Sequence, residues 1–184
     1  RGKQEEIKRI YPEEPKSIVE EKVKQKLHVS RPLFALGFKD NDVGYQGEKL
    51  LDKIITNQIL LDMLAGPSSE VYNLLYEEGL IDSSFGAEFT GERDYGFAVF
   101  SGESSNPENV AGILLEEIGK RKKSPWEEDY FMRIKKKKMG QFIRSFNYLE
   151  ATGVKFISMI FKDIQLFDYI ERIEQIGYND VFER

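Results

Sequence analysis

The pairing of β-like runs constrains this chain most. Apolar or alternating stretches near 17–29 and 32–39 are separated only by Ser30-Arg31-Pro32, and a second pair, near 84–91 and 94–102, is joined by G-E-R-D. Links this short join neighbouring antiparallel strands, because a parallel crossover needs a dozen or more residues. Pro32 opens its run, where a missing N–H costs least. Between the pairs the apolar period becomes helical. Leu50, Leu51, Ile54, Ile55, Gln58, Leu61, Met63 and Leu64 make one broad face. Gly66-Pro67 ends that helix, and a second follows with Val71, Leu74, Leu75 and Tyr76 as its buried stripe and Gly79 as its stop. Asn106-Pro107-Glu108 reads as an N-cap with proline at the first helical position. Ser124-Pro125-Trp126-Glu127 reads as a capping box. Asn147 is expected to cap a further helix with Ile157, Ile160 and Phe161 inward, and a last short helix spans about 167–176. The order β-β-α-α-β-β followed by helices predicts an α+β fold, an antiparallel β-sheet with helices packed on one face.

Composition removes several chemistries. The chain of 184 residues has no cysteine, so it offers no disulfide framework, thiol nucleophile or thiolate metal site. Its one histidine, His28, lies in K-L-H-V-S-R-P without a second ligand nearby. Catalytic zinc ordinarily takes two or three histidines, or cysteine. A net charge of -5 argues against nucleic acid as the main partner. The longest apolar helix candidate contains Asp52, Lys53, Asn57, Gln58 and Asp62 and cannot span a bilayer. R-G-K-Q-E-E-I-K-R-I lacks the apolar core of a signal peptide, and a cytoplasmic setting is expected. Pro12 and Pro15 mark residues 1–16 as a linker, with one domain over 17–184.

The polar clusters read as structure before chemistry. Glu77-Glu78 and Glu116-Glu117 are helix neighbours, which diverge, whereas carboxylates acting on one bond must converge. Lys135 to Lys138 project about 100° apart and do not make one patch. The serines lack a G-x-S-x-G elbow and a histidine base. In the corner Gly66, Pro67, Ser68 and Ser69, proline breaks one helix and suits the first turn of the next. Gly66 or Ser68 is the expected N-cap, and the Ser68 and Ser69 hydroxyls, with Glu70, satisfy free N–H groups. The residues alone define no complete catalytic constellation.

Several ordered segments carry a resemblance. They are R-I-Y-P-E-E-P (Arg9 to Pro15), V-S-R-P-L-F-A-L-G-F-K-D (Val29 to Asp40), the run from Leu60 to Phe85, Y-G-F-A-V-F-S-G-E (Tyr95 to Glu103) and G-Q-F-I-R-S-F-N-Y-L-E (Gly140 to Glu150). By their order and spacing the chain resembles, over nearly its whole length, the C-terminal non-catalytic half of M16 (insulinase/pitrilysin-like) zinc peptidases, in the bacterial YmfH-like branch. That resemblance implies two homologous α/β halves facing across a chamber. The N-terminal half binds zinc through H-x-x-E-H, a motif absent here. The C-terminal half closes the chamber and helps hold an extended peptide.

The resemblance therefore implies a chain inactive alone and without a cofactor, zinc belonging to the parent's N-terminal half. Its implied partners are that catalytic half, a paralogous M16-like subunit and an extended peptide or protein substrate, with no nucleic acid and no membrane. In many relatives the second helix ends L-R-E-x-x-G-L-x-Y, whose arginine and tyrosine grip the peptide. Here Tyr76 stands at the arginine position and Asp82 at the tyrosine position. Substrate contact is expected at Tyr76, Asp82, Ser84 and Phe85. Tyr76 can donate a hydrogen bond to a carbonyl but supplies no positive charge. The altered grip admits a second reading, a protein-binding scaffold domain in a peptidase-like protein associated with elongation factor P modification. A third, anion or RNA binding through Lys135 to Lys138, predicts steeply salt-dependent binding. Relatives continue past the segment Asn179 to Arg184 into a helix and a last strand, so a missing strand and an unpaired sheet edge are expected.

Overall fold

A computed structural model describes residues 14–184, so the first part of the expected linker lies outside the described residues. The elements run β1 (Leu33–Asp40), α1 (Gly47–Ala65), α2 (Glu70–Glu77), β2 (Gly86–Gly91), β3 (Gly96–Glu103), α3 (Pro107–Arg121), α4 (Glu128–Ser145), α5 (Leu149–Ile160), α6 (Asp168–Gln175) and α7 (Tyr178–Phe182).

The sheet order is β1-β3-β2, antiparallel throughout. Alternation decides its faces. Leu36 and Ala87 both lie opposite Phe100, and Phe38 and Phe89 opposite Ala98. These side chains join Leu61, Val71, Leu75, Val110 and Leu114 of the helices in one cluster. Leu33, Ala35, Gly37 and Glu88, one step out of phase, are exposed. The fold is α+β with helices on one sheet face, as the paired runs predict.

The expected strand at 17–29 does not form. Those residues are irregular and exposed, Val19 to 92%. In strand phase, Val19, Val23, Leu27 and Val29 would share a face with Glu21 and Gln25, too polar a face to repay the ordering of the backbone. The segment is held instead by charge: Lys24 and Lys22 lie 2.7 and 3.3 Å from Glu108 of α3. Such exposed pairs contribute little each.

Helix α1 is buried on nearly all sides, which places it at the centre of the molecule. Leu50, Leu51, Ile55, Ile59 and Met63 face the cluster formed with α4, α6 and α7, while Leu61, Leu64 and Ala65 face the sheet-side cluster. No described helix is long and apolar enough to cross a membrane.

The ends of the helices differ from expectation in informative ways. Gly66 closes α1, its N–H donating to the Asp62 carbonyl at 2.9 Å, and a Cβ there would meet Asp62 Oδ1 at 1.8 Å. The N-cap of α2 is Ser69, not Gly66 or Ser68, because a turn first closes the Ser69 N–H on the Gly66 carbonyl at 2.8 Å. Pro67 and Ser68 are therefore in the turn rather than the helix. Ser124 does not cap α4, since its N–H is still bonded to Lys120 at the end of α3. Asn147 likewise ends α4 through Arg144, and Tyr148 is the N-cap of α5. Asn106 caps α3 as expected, accepting from the Asn109 N–H. In α2 only Val71 and Leu75 are buried; Leu74 and Tyr76 face outward. In α5 no residue is buried, so Ile157, Ile160 and Phe161 do not form an inner face.

Candidate functional site

The expected contact residues collect around the end of α2 and the turn into β2. Gly79 makes the bend: at φ +67° it lets the Leu80 N–H reach the Leu75 carbonyl at 2.9 Å and its own N–H reach Tyr76 at 3.0 Å. This pair of hydrogen bonds closes the helix through a left-handed residue, a conformation that only glycine adopts without strain. The chain then turns back toward the sheet, placing Ile81 and Phe85 in the core.

Tyr76 is 54% exposed, and its ring stacks on Tyr72 with centroids 6.0 Å apart. Tyr72 tilts against Phe85 at 5.9 Å, and Phe85 stacks on Phe34 of β1 at 6.2 Å. The four rings form a ladder from solvent to sheet. Phe85 supports it from within, being 6% exposed. A Cβ on Gly102 of β3 would sit 2.8 Å from the Phe85 Cα, so glycine allows the strand to pass this close.

Asp82 and Ser84 form a separate polar knot. The Ser84 N–H and hydroxyl donate to Asp82 Oδ1 at 2.8 and 2.6 Å, while Ser84 Oγ accepts from the Glu103 N–H at 3.0 Å. Arg31 lies 3.6 Å from the other carboxylate oxygen. The Ser84 hydrogen bonds, and then Arg31, hold the Asp82 carboxyl below its ordinary value. The Ser84 proton is committed to this carboxylate, so its hydroxyl is not a free donor, and a carboxyl held below its ordinary value is a weak base for activating it. Asp82, Arg31, Gly79 and Glu103 border a cleft of about 340 Å³. The structure thus groups Asp82 with Ser84 and Tyr76 with Phe85, as two adjoining features that can bind but hold no catalytic pair.

Among the described residues no three His, Asp or Glu side chains converge to hold an ion. His28 is exposed. The described residues hold no donor set that fits zinc. Lys135 to Lys138 do not form a phosphate patch either. Lys135 is buried and donates to the Glu174 and Ile176 carbonyls, at 2.8 and 2.7 Å, while Lys137 and Lys138 pair with Asp62.

Two features escaped the sequence reading. Tyr72 is the middle rung of the ladder, and its spacing of four from Tyr76 was a usable signal. A larger apolar cleft, about 870 Å³, lies between β2 and α5, bordered by Ile54, Phe89, Leu149, Val154, Met159 and Ile164. It joins residues far apart in the chain, and no local pattern announces it.

These features stand in a known class of domain. The family model described as "Peptidase M16 inactive domain" matches residues 1–138, and the chain belongs to this family. It is, by itself, a non-catalytic domain of that class. The "Uncharacterized zinc protease YmfH" of Bacillus subtilis (strain 168) is 32% identical over 178 residues, covering 97% of this chain and 41% of that protein. The chain thus spans about two fifths of its curated relative. An M16-like peptidase from Alicyclobacillus acidocaldarius superposes with a TM-score of 0.78 at 23% identity, over 84% of this chain and 37% of the other. The inactive peptidase domain of a zinc protease from Bordetella parapertussis gives 0.63 at 16% identity, over 86% of this chain and 87% of the other. At these identities the two structures speak for the fold alone.

Proposed function

We propose that this domain closes the chamber of an M16-type zinc peptidase and holds an extended peptide against it, the zinc and the cleavage belonging to a separate catalytic half. The observation that carries this reading is membership of the inactive-domain family by a chain that spans 41% of a zinc protease relative. The geometry supports the holding role. An exposed tyrosine is braced by three further rings beside a fixed carboxylate, which offers a flat apolar wall with a hydrogen-bond donor and an acceptor at its edge. Such a wall suits backbone carbonyls and amides of an extended chain more than a particular side chain.

The test is a peptide titration on the chain reconstituted with its catalytic half. Tyr76→Ala should weaken binding of an unstructured peptide about tenfold, the loss of one stacked, hydrogen-bonding contact worth about 1.4 kcal/mol. The melting curve should move little, since the ring is more than half exposed. Unchanged binding would refute the wall. Zinc-dependent hydrolysis of peptides by this chain alone would refute the assignment of chemistry to another half.

A further inference from the structure

Lys155 of α5 is the exception among the lysines that the fold partly covers. Lys39, Lys53, Lys137, Lys138 and Lys162 each lie 2.6 to 3.1 Å from a carboxylate oxygen, and Lys135 donates to two carbonyls. Among the described residues the half-buried Lys155 has neither kind of partner. Its ammonium rests on the rings of Phe142 and Tyr169, 4.6 and 5.3 Å from their centroids, and burial lowers its pKa. Rings attract a cation without neutralising it, so the group is still open to an anion. Lys155 borders both the larger cleft, between β2 and α5, and a smaller one of about 350 Å³. One wall of the larger cleft is β2, an edge of the sheet bonded only to β3 among the described residues. Such a strand turns every second N–H and C=O outward. Val154 and Met159 of α5, with Ile54 and Phe89, make the lining apolar. The other cations bordering the clefts are already neutralised, Lys162 by Glu92 and Lys138 by Asp62. Glu150 and Glu88 border them too, and neither pairs with Lys155.

We propose that this cleft takes the C-terminal end of a peptide, laid as an extended strand between β2 and α5 with apolar side chains in the cleft and its terminal carboxylate on Lys155. The inference rests on the reading of this domain as a peptide holder, and deepens it. Three features choose the occupant together. An open strand edge calls for backbone amides, which a fatty acid lacks. An apolar lining calls for apolar side chains, which an extended chain offers at alternate positions. A lone ammonium calls for one anion, and Phe142 and Tyr169, both buried, stand behind it, which suits a chain that ends there. A groove beside a sheet edge is a recurrent seat for extended peptides, main-chain hydrogen bonds giving affinity and side-chain pockets specificity. Strand β2 begins next to Phe85, the inner support of the ring ladder, and its six residues end at Gly91 in the cleft, about 20 Å further on. One extended peptide along that edge reaches both contacts, and the carboxylate sets its register.

The probe is an octapeptide of alternating serine and valine ending in leucine, labelled with fluorescein at its N-terminus and made both as the free acid and as the C-terminal amide. Fluorescence anisotropy with the 184-residue chain should show the acid bound about tenfold or more tightly than the amide, the loss expected on removing a hydrogen bond between charged groups. Lys155→Met keeps the packing over the rings and should bind the acid as weakly as the amide, while Lys155→Arg should restore the preference. Equal binding of acid and amide by the unchanged chain would overturn the proposal without recourse to any variant. So would absent binding of the acid, or a Lys155→Met chain that still prefers it. An amidated peptide ending in glutamate that binds as tightly as the free acid would make this a site for acidic side chains. Dodecanoate bound more tightly than the peptide acid, and lost in Lys155→Met, would make it a lipid site; either result overturns the proposal. The ring wall is tested by the absolute affinity of Tyr76→Ala, and this cleft by the acid-to-amide ratio, which Tyr76→Ala should leave unchanged.

Discussion

Replacing Ser69 by alanine should destabilise the domain, and replacing its neighbour Ser68 should not. Ser69 Oγ accepts from the Tyr72 N–H at 3.1 Å, and Ser69 is 3% exposed. Alanine removes the acceptor at a site that water does not readily reach. N-cap serine to alanine costs about 0.5–2 kcal/mol, and burial of the orphaned donor puts this case in the upper half, about 1–2 kcal/mol. Ser68 is exposed and is not the cap, so its replacement should stay within about 0.5 kcal/mol. In a domain of this size 1 kcal/mol moves the melting temperature by about 2–4 °C, so Ser69→Ala should melt about 2–8 °C lower. Urea titrations of both variants supply the free energies, provided the slope m is common to them. The reasoning fails if the two alanine variants are equally stable. It also fails if Ser69→Ala abolishes peptide binding at unchanged stability, since the corner would then be a functional loop.

Gly79→Ala forces a side chain into the left-handed region and should cost about 1–2 kcal/mol, read from the same titrations. The Lys53 ammonium is buried, 2.6 Å from Asp40, and also contacts the Asp42 carbonyl. Lys53→Met should cost about 3 kcal/mol by stranding the carboxylate, and adding Asp40→Leu should recover much of that loss; a double variant no better than the single would refute it. Glu108 is pulled down to about 2 by Lys24 first, then by its own backbone N–H and Lys22. The folded carboxylate thus binds fewer protons than the unfolded one between its ordinary value of 4.5 and about 2. Its contribution is complete above that window and lost as pH falls through it. Glu108→Gln should accordingly flatten the acid limb of stability, measured by urea titration at pH 6 and pH 3, and added salt should shrink the difference.

The long helices and the hairpin were legible because their periods are local. Leu50 to Leu64 declares a helix, and two alternating runs around G-E-R-D declare a hairpin, whatever the rest of the chain does. The segment 17–29 was misread because residue preference suggests a strand, while a strand forms only if its inward positions repay the backbone entropy, and Glu21 and Gln25 dilute them. The inward stripe expected of α5 shows the reverse limit. Spacing says that Ile157, Ile160 and Phe161 share a face but not what covers it, and among the described residues none of the three is buried. At the candidate site the rings of Tyr72 and Tyr76 were readable from their spacing. The pairing of Arg31 with Asp82 joins two connecting segments 51 positions apart, and the seating of Lys135 on the end of α6 spans 39 to 41 positions. No window along the sequence holds both partners of either contact.

The two peptide contacts, the ring ladder and the cleft beside α5, are separated by the two cores. The ring ladder stands on the sheet-side cluster, where Leu75 and Phe85 are fixed by the Schellman turn at Gly79 and the close passage at Gly102. A wall that binds an extended peptide gains affinity mainly by being rigid before the peptide arrives, and each of these constraints removes motion from it. Helix α5 stands by the other cluster, which Ile164 and Met159 join. Helix α1 is shared, turning Leu61 and Leu64 to one cluster and Leu51, Ile55 and Ile59 to the other. A strain imposed at α5 reaches the ring ladder through α1 and through Trp126, which packs against both clusters, in an interior packed too densely to deform freely. On that architecture the two surfaces should respond independently: Lys155→Met should leave the ring ladder's geometry intact, and Tyr76→Ala should leave α5 as it was.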